Sequence, residues 1–100
     1  NNDLYINDYC YNAEAIIANT GGIPYFHYYN GKFSTSADCM VFTTKTDIVK
    51  FVYYQLFNNI NKINKLGFTG SGLKHLDKKW FDNFKIPLPP LQEQQKIAEI

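Results

Sequence analysis

Apolar residues at 48, 49, 52, 53, 56, 57, 60 and 63 repeat with the spacing of one helical face. This pattern predicts an amphipathic helix from Ile48 to about Leu66, packed by its apolar stripe on a sheet. Asn58, Asn59, Asn61 and Asn64 lower helix propensity in its second half. Lys62 and Lys65 stand near its C-terminus, where cations favour the helix dipole. Thr44 to Asp47 is a turn ahead of it, with Thr46 or Asp47 as the expected N-cap.

Upstream the period shortens to that of strands. Ala13 to Ala18, AEAIIA, is a compact apolar run bounded by Asn12 and by Asn19-Thr20-Gly21-Gly22, which predicts a buried strand. A helix competes for this run, but it is too short to hold one alone. Asn1 to Asn12 reads as a short extended segment with Leu4, Ile6 and Tyr9 pointing inward. Asn30-Gly31 suits the two φ > 0 positions of a type I′ turn, and so predicts a hairpin of Tyr25–Tyr29 and Lys32–Ser36. Alternation sets Phe26 and Tyr28 on one face and Tyr25, His27 and Tyr29 on the other. The second face either stacks on bases or sugars or forms a plain tyrosine ladder in water. His27 reads as a strand histidine with no catalytic role. Ser34 to Asp38 is a bend rich in side chains that bond their own backbone. Cys39 to Thr43, CMVFT, reads as a central strand.

Glycine and proline punctuate the remainder. Asn19 to Pro24, NTGGIP, is a tight loop whose paired glycines permit φ > 0 and close backbone approach. It serves either as a turn between strands or as a surface that meets a nucleic-acid phosphate or base edge. Gly67 to His75, GFTGSGLKH, is a second glycine loop. Asp77 is the expected N-cap of a short helix through Phe84, with Trp80 and Phe81 as packing residues. Lys85 to Leu88 is expected as an edge strand, because Pro87 cannot donate to a ladder. Pro89-Pro90 ends it, and Leu91 to Ile100, LQEQQKIAEI, begins a polar helix with Leu91, Ile97, Ala98 and Ile100 as its apolar set. So polar a helix reads as the first turns of a longer coiled-coil arm. The expected fold is α+β: a small, twisted, mostly antiparallel sheet, one main amphipathic helix, a short helix and the start of a long C-terminal coiled-coil helix. The division is a body over 1–88 and a helical arm from 89.

With 100 residues, 45% hydrophobic and 17% aromatic, the chain makes one domain with a Phe/Tyr-rich core. It opens without Met and breaks off within a helical pattern, so a piece of a longer protein is expected. A formal net charge of +1 gives no global signal for nucleic acid, and any such contact rests on a local patch. That patch is Lys62, Lys65, Lys74, Lys78 and Lys79, set against the single acid Asp77. Cys10 and Cys39 lie far apart and form no CxxC pair, so neither zinc nor a disulfide is implied, and reduced thiols in a cytoplasmic protein are expected. No apolar run approaches a membrane span. The second glycine loop invites a phosphate-cradle reading, which its spacing defeats. Gly67 and Gly72 fit, but Leu73 holds the lysine position and Lys74-His75 follows one place late. Cys39 beside Asp38 lacks an activating base and reads as a core residue. What remains is a glycine loop with hydroxyls at Thr69 and Ser71 beside a basic stretch, the equipment of a DNA contact in which phosphates position and loops read bases.

The matching residues Gly70-Ser71-Gly72, Leu76-Asp77-Lys78-Lys79-Trp80-Phe81, Ile86-Pro87-Leu88-Pro89-Pro90-Leu91 and Glu93-Gln94-Gln95-Lys96-Ile97 carry a resemblance. The run resembles the closing half of the target recognition domain of type I restriction-modification specificity subunits. AIIANTGGIPYF, a strand and the helical VKFVYYQLF follow the same domain order upstream. The resemblance implies a non-catalytic reader of one half of a bipartite double-stranded DNA target, with methylation and cleavage left to methyltransferase and endonuclease subunits. No cofactor or metal is implied, and no Asn/Asp-Pro-Pro-Tyr/Phe motif of a methyltransferase occurs. The DNA-binding set expected from the glycine loops and the basic stretch is Thr20, Gly21, Gly22, Lys62, Lys65, Thr69, Gly70, Ser71, Gly72, Lys74, His75 and Lys78. Leu91, Gln94, Ile97 and Ala98 would face partner helices. A complete subunit carries two such domains and two long helices, so a second recognition domain or a homodimer partner is implied. Related readings are the specificity domain of a fused enzyme, or an orphan homologue serving as a protein-interaction or inhibitory module.

Overall fold

The structure, a computed structural model, describes residues 11–99. The expected inward positions Leu4, Ile6 and Tyr9 lie outside them. Strand β1 (Tyr11–Asn19) is the centre of a three-stranded antiparallel sheet, flanked by β2 (Phe26–Phe33) and β3 (Cys39–Phe42) in the order β2-β1-β3. The apolar run Ala13–Ala18 therefore is a strand, with Ala15, Ile16 and Ala18 buried. Cys39–Phe42, expected at the centre, is instead a flank of this sheet, pairing within it with β1 alone over Ile16–Asn19.

The expected hairpin at Asn30-Gly31 does not form. β2 runs straight through the dipeptide, pairing Glu14 with Asn30 and Ala13 with Gly31. The full length of β1 offers those residues ladder partners, which a local turn would forfeit. Gly31 is still required, at φ +143°, and a Cβ there would meet the Tyr29 ring at 3.3 Å. The alternation along β2 is as expected: Phe26 is buried and Tyr28 half-buried, while His27 and Tyr29 are exposed.

The expected single helix is two, α1 (Val49–Asn58) and α2 (Ile60–Gly67). They break at Asn59, which sits at φ −104°, ψ 13° and donates from Nδ2 to the Gln55 carbonyl at 2.7 Å. An asparagine side chain that occupies a helical carbonyl competes with the ladder that would continue the helix. Val49, Phe51, Val52 and Leu56 of α1 and Ile63 of α2 join Ile16, Ala18 and Phe26 in one core. Phe51, off the predicted stripe, is among the most deeply buried side chains. Burial of each such side chain contributes about 1.5–3 kcal/mol.

Two short strands, β4 (Phe68–Thr69) and β5 (His75–Leu76), follow α2 as a hairpin. Helix α3 (Lys78–Asn83) is capped as expected by Asp77, whose Oδ1 accepts from the Trp80 amide at 3.1 Å. Phe81 stacks on Phe26 at 6.5 Å between ring centres, and Trp80 stacks on Phe84 at 5.0 Å. Residues 85–88 join no ladder, contrary to the expected edge strand, since Pro87 interrupts a stretch too short to pair without it. Helix α4 (Leu91–Ala98) begins after Pro90 and packs on α1.

The start of α1 is not capped by Thr46 or Asp47. Gln94 of α4 supplies that function from the other end of the chain. Its Oε1 accepts from the Ile48 amide at 2.8 Å, while Nε2 donates to Asp47 Oδ1 at 3.0 Å and to the Pro89 carbonyl at 2.8 Å. Gln94 is 1% exposed, and these bonds satisfy the carbonyl and both amide protons of its side chain. Among the described residues no helix is long and apolar enough to cross a membrane.

Candidate nucleic-acid interface

The glycine loops, far apart in sequence, meet at one edge of the molecule. The Gly22 amide donates to the Lys74 carbonyl and the Leu76 amide to the Thr20 carbonyl, both at 2.8 Å, and Gly21 pairs with His75 as an antiparallel bridge. The first loop thus adds to the β4–β5 hairpin. The Gly22 and Leu76 amides are engaged in this stitch and are not free to meet a ligand.

Each loop is set by its own residues. Asn19 organises the first: Nδ2 donates to the carbonyls of Gly21 and Ile23, and Oδ1 accepts from the Tyr25 amide at 2.8 Å. Thr20 ties the loop to the β2–β3 turn, with its amide and hydroxyl donating to the Asp38 carbonyl at 2.8 and 3.0 Å. In the second loop Gly70 and Gly72 take φ of +127° and +81°, conformations that favour glycine. Gly67, at the end of α2, is glycine for a different reason. A Cβ there would lie 2.7 Å from two atoms of the Trp80 ring.

Thr69, Gly70, Ser71, Gly72, Lys74 and His75 are all exposed on the second loop, while Thr20, Gly21 and Gly22 are half-buried on the first. Ile23 and Leu73 project from the loops, 80% and 68% exposed. Between the loops lies a cavity of about 220 Å³ lined by Thr20, Gly21, Gly22, Asp38, Leu73 and His75. Asp38 was not legible as part of this edge, whereas Asn19 lies within the loop the sequence marks.

The lysines flank the loops on packed helices. Lys62 and Lys65 are exposed on α2, and Lys78 and Lys79 on α3. α2 and α3 pack together, and the Lys62 ammonium lies 5.8 Å from the centre of the Phe84 ring, just past α3. The basic residues of the sequence therefore stand on the two elements adjoining the hairpin, α2 leading directly into β4 and α3 following β5.

Two tyrosines near the sheet have displaced pKa values. Tyr25 is raised by the charge of Cys39 beside it, then by burial and a hydrogen bond to the same residue. Tyr28 is pushed up to about 12 by burial, then by its hydroxyl's bond to the Glu14 carboxylate and that group's charge. Neither titrates near neutral pH. Among the described residues no group of three or more His, Cys, Asp or Glu side chains stands together as a metal site.

On α4, Gln94 and Ala98 are buried against the domain itself, whereas Leu91 and Ile97 are 52% and 37% exposed. Only the latter two of the four residues assigned to partner helices lie on its open face.

No solved structure matches the chain. Over 31 residues it is 64% identical to the type I restriction enzyme MjaVIII specificity subunit of Methanocaldococcus jannaschii, covering 31% of this chain and 7% of that subunit. Over 49 residues it is 47% identical to a protein of the same organism provisionally named the type I restriction enzyme MjaX specificity subunit, covering 49% of this chain and 11% of that one. The matched region is thus about a tenth of each curated relative. The family model for the type I restriction modification DNA specificity domain matches residues 2–100, and the chain belongs to that family.

Proposed function

We propose that this domain reads one half of a bipartite DNA target as the recognition element of a type I specificity subunit. Its body, through Leu88, meets the duplex, and the helix begun by α4 docks methyltransferase subunits. The observation that carries the reading is the stitching of the two glycine loops into one edge whose hairpin adjoins the lysine-bearing helices. Lysines beside the edge neutralise phosphates and set orientation without conveying sequence. Loop side chains then reach base edges in the groove, where donors, acceptors and the thymine methyl distinguish the pairs. Ile23 and Leu73 supply apolar contact, and Thr20, Thr69, Ser71 and His75 supply hydrogen bonds. Docking through α4 is supported by the exposure of Leu91 and Ile97. Ile97 also lines a cavity of about 320 Å³ with Tyr54, Gln55 and Asn58 of α1. The domain itself carries out no reaction in this scheme.

A salt-dependent titration against a randomised duplex pool, with bound sequences read out, tests it. Enrichment of a short half-site with affinity that falls steeply with salt is expected. Absence of binding at low salt removes the DNA-reading role and leaves the interaction-module reading, with α4 as the surface to probe.

A further inference from the structure

The cavity between the glycine loops contains a charge of the wrong sign for phosphate. Asp38 lines it, and the Asp38 backbone is fixed: its carbonyl accepts both bonds from Thr20, and the next residue begins β3. The residue is exposed, and its carboxylate takes no hydrogen bond or ion pair among the described residues. Main chain held and side chain unengaged is an arrangement that serves a ligand better than it serves the fold.

A carboxylate near a DNA backbone is repelled, but at a base edge it is an acceptor without a donor to confuse the match. The amines that the major groove presents are cytosine N4 and adenine N6. His75 lines the same cavity with its ring packed on Gly21, Nδ1 standing 3.4 Å from where a Cβ would be. An imidazole N–H there supplies a donor. A C·G pair offers an amine beside the guanine O6 and N7 acceptors, which suits an acceptor and a donor that line one cavity. Adenine instead sets N7 next to its amine, a pairing met best by an amide side chain.

We propose that Asp38 is a specificity-determining residue, accepting a hydrogen bond from the N4 amine of a cytosine in the target while His75 donates to the paired guanine. The proposal rests on the DNA-reading role and deepens it. The test is selection from a randomised duplex pool with the wild-type chain, Asp38→Ala and Asp38→Asn, each checked for folding by circular dichroism. The wild type is expected to enrich cytosine at one position. Asp38→Ala should lose about tenfold of that preference at that position alone. Its non-specific affinity should stay level or rise, since a like charge has left the interface. Asp38→Asn, matched in shape, should turn the preference toward adenine. A wild-type selection without a cytosine position, or an Asp38→Ala selection that keeps every wild-type preference, overturns the assignment while leaving the DNA-reading role in place. A wild type that enriches no sequence at all removes that role, and the assignment with it.

Discussion

The junction of α1 with α4 and the edge formed by the glycine loops are both built around polar residues, and they treat them in opposite ways. At the junction, Gln94 is sealed from water and its side-chain carbonyl and both amide protons are paired. At the edge, backbone groups are paired while the side chains of Asp38 and Lys74 stand in solvent. A buried polar group gains little net energy from its bonds but costs much if one is lost, so such a site locks geometry. An exposed one contributes almost nothing to folding and is free to meet a ligand. Stability and recognition are thus assigned to different side chains, and substitutions should separate them.

The largest stability effect is expected at the junction. Gln94→Ala strands the Ile48 amide and the Pro89 carbonyl and opens a void in a packed interface. It should cost about 3 kcal/mol, read as a lower urea midpoint, with faster amide exchange in α4 and the first turn of α1. Gly67→Ala comes next. The added methyl lies 2.7 Å from the Trp80 ring, which is itself stacked on Phe84 and cannot tilt without unpacking it. Overpacking of this kind costs about 1–3 kcal/mol, and the change in Trp80 fluorescence should report the displaced ring. An effect confined to DNA binding, with no loss of stability, would contradict the packing account of this glycine.

A smaller, pH-dependent term comes from Tyr28. Its folded pKa of about 12 lies above the ordinary phenol value of 10. Folding therefore favours the protonated phenol, and the stability it contributes is fully present below pH 10 and lost as pH rises from 10 to about 12. Denaturation midpoints at pH 9, 10 and 11 should fall more for the wild type than for Tyr28→Phe. At pH 8 that variant should lose under about 1 kcal/mol, the hydroxyl's bond to Glu14.

Which of these features could be read from the sequence depended on how far each cause reaches along the chain. The strand Ala13–Ala18 and the Asp77 cap are local: an apolar run between turn residues, and a carboxylate three residues ahead of the amide it accepts. The Asn30-Gly31 hairpin is also a local inference, and it failed because β1 outbids a turn with eight paired positions. The helix break at Asn59 was foreshadowed by asparagine propensity, but its position depends on one side chain reaching Gln55. The cap that Gln94 supplies to α1 crosses almost half the chain, and no local pattern announces it. At the candidate site, glycine revealed each loop separately. Their union rests on backbone bonds between Thr20, Gly22, Lys74 and Leu76, which carry no side-chain signature, and Asp38 joins them only because β3 returns beside β1.

The smallest stability effects are expected at the lysines, and there the comparison is sharpest. Lys74 and Lys78 are exposed, and no ion pair ties either to a carboxylate among the described residues. Lys74→Ala and Lys78→Ala should each change the unfolding free energy by less than about 0.5 kcal/mol. Each lysine that neutralises a phosphate releases counterions on binding, so its loss should weaken DNA affinity nearly equally across sequences and reduce the salt slope by about one. A matched pair of measurements, urea unfolding and binding at several salt concentrations, would place Gln94→Ala and Lys74→Ala at opposite corners. Gln94→Ala should lose stability while its folded fraction keeps the wild-type slope, and Lys74→Ala should keep stability while losing slope. A Lys74→Ala protein that retains the full salt slope would take Lys74 off the phosphate path and leave that contact to the lysines of α2 and α3, because no other lysine lies within that loop.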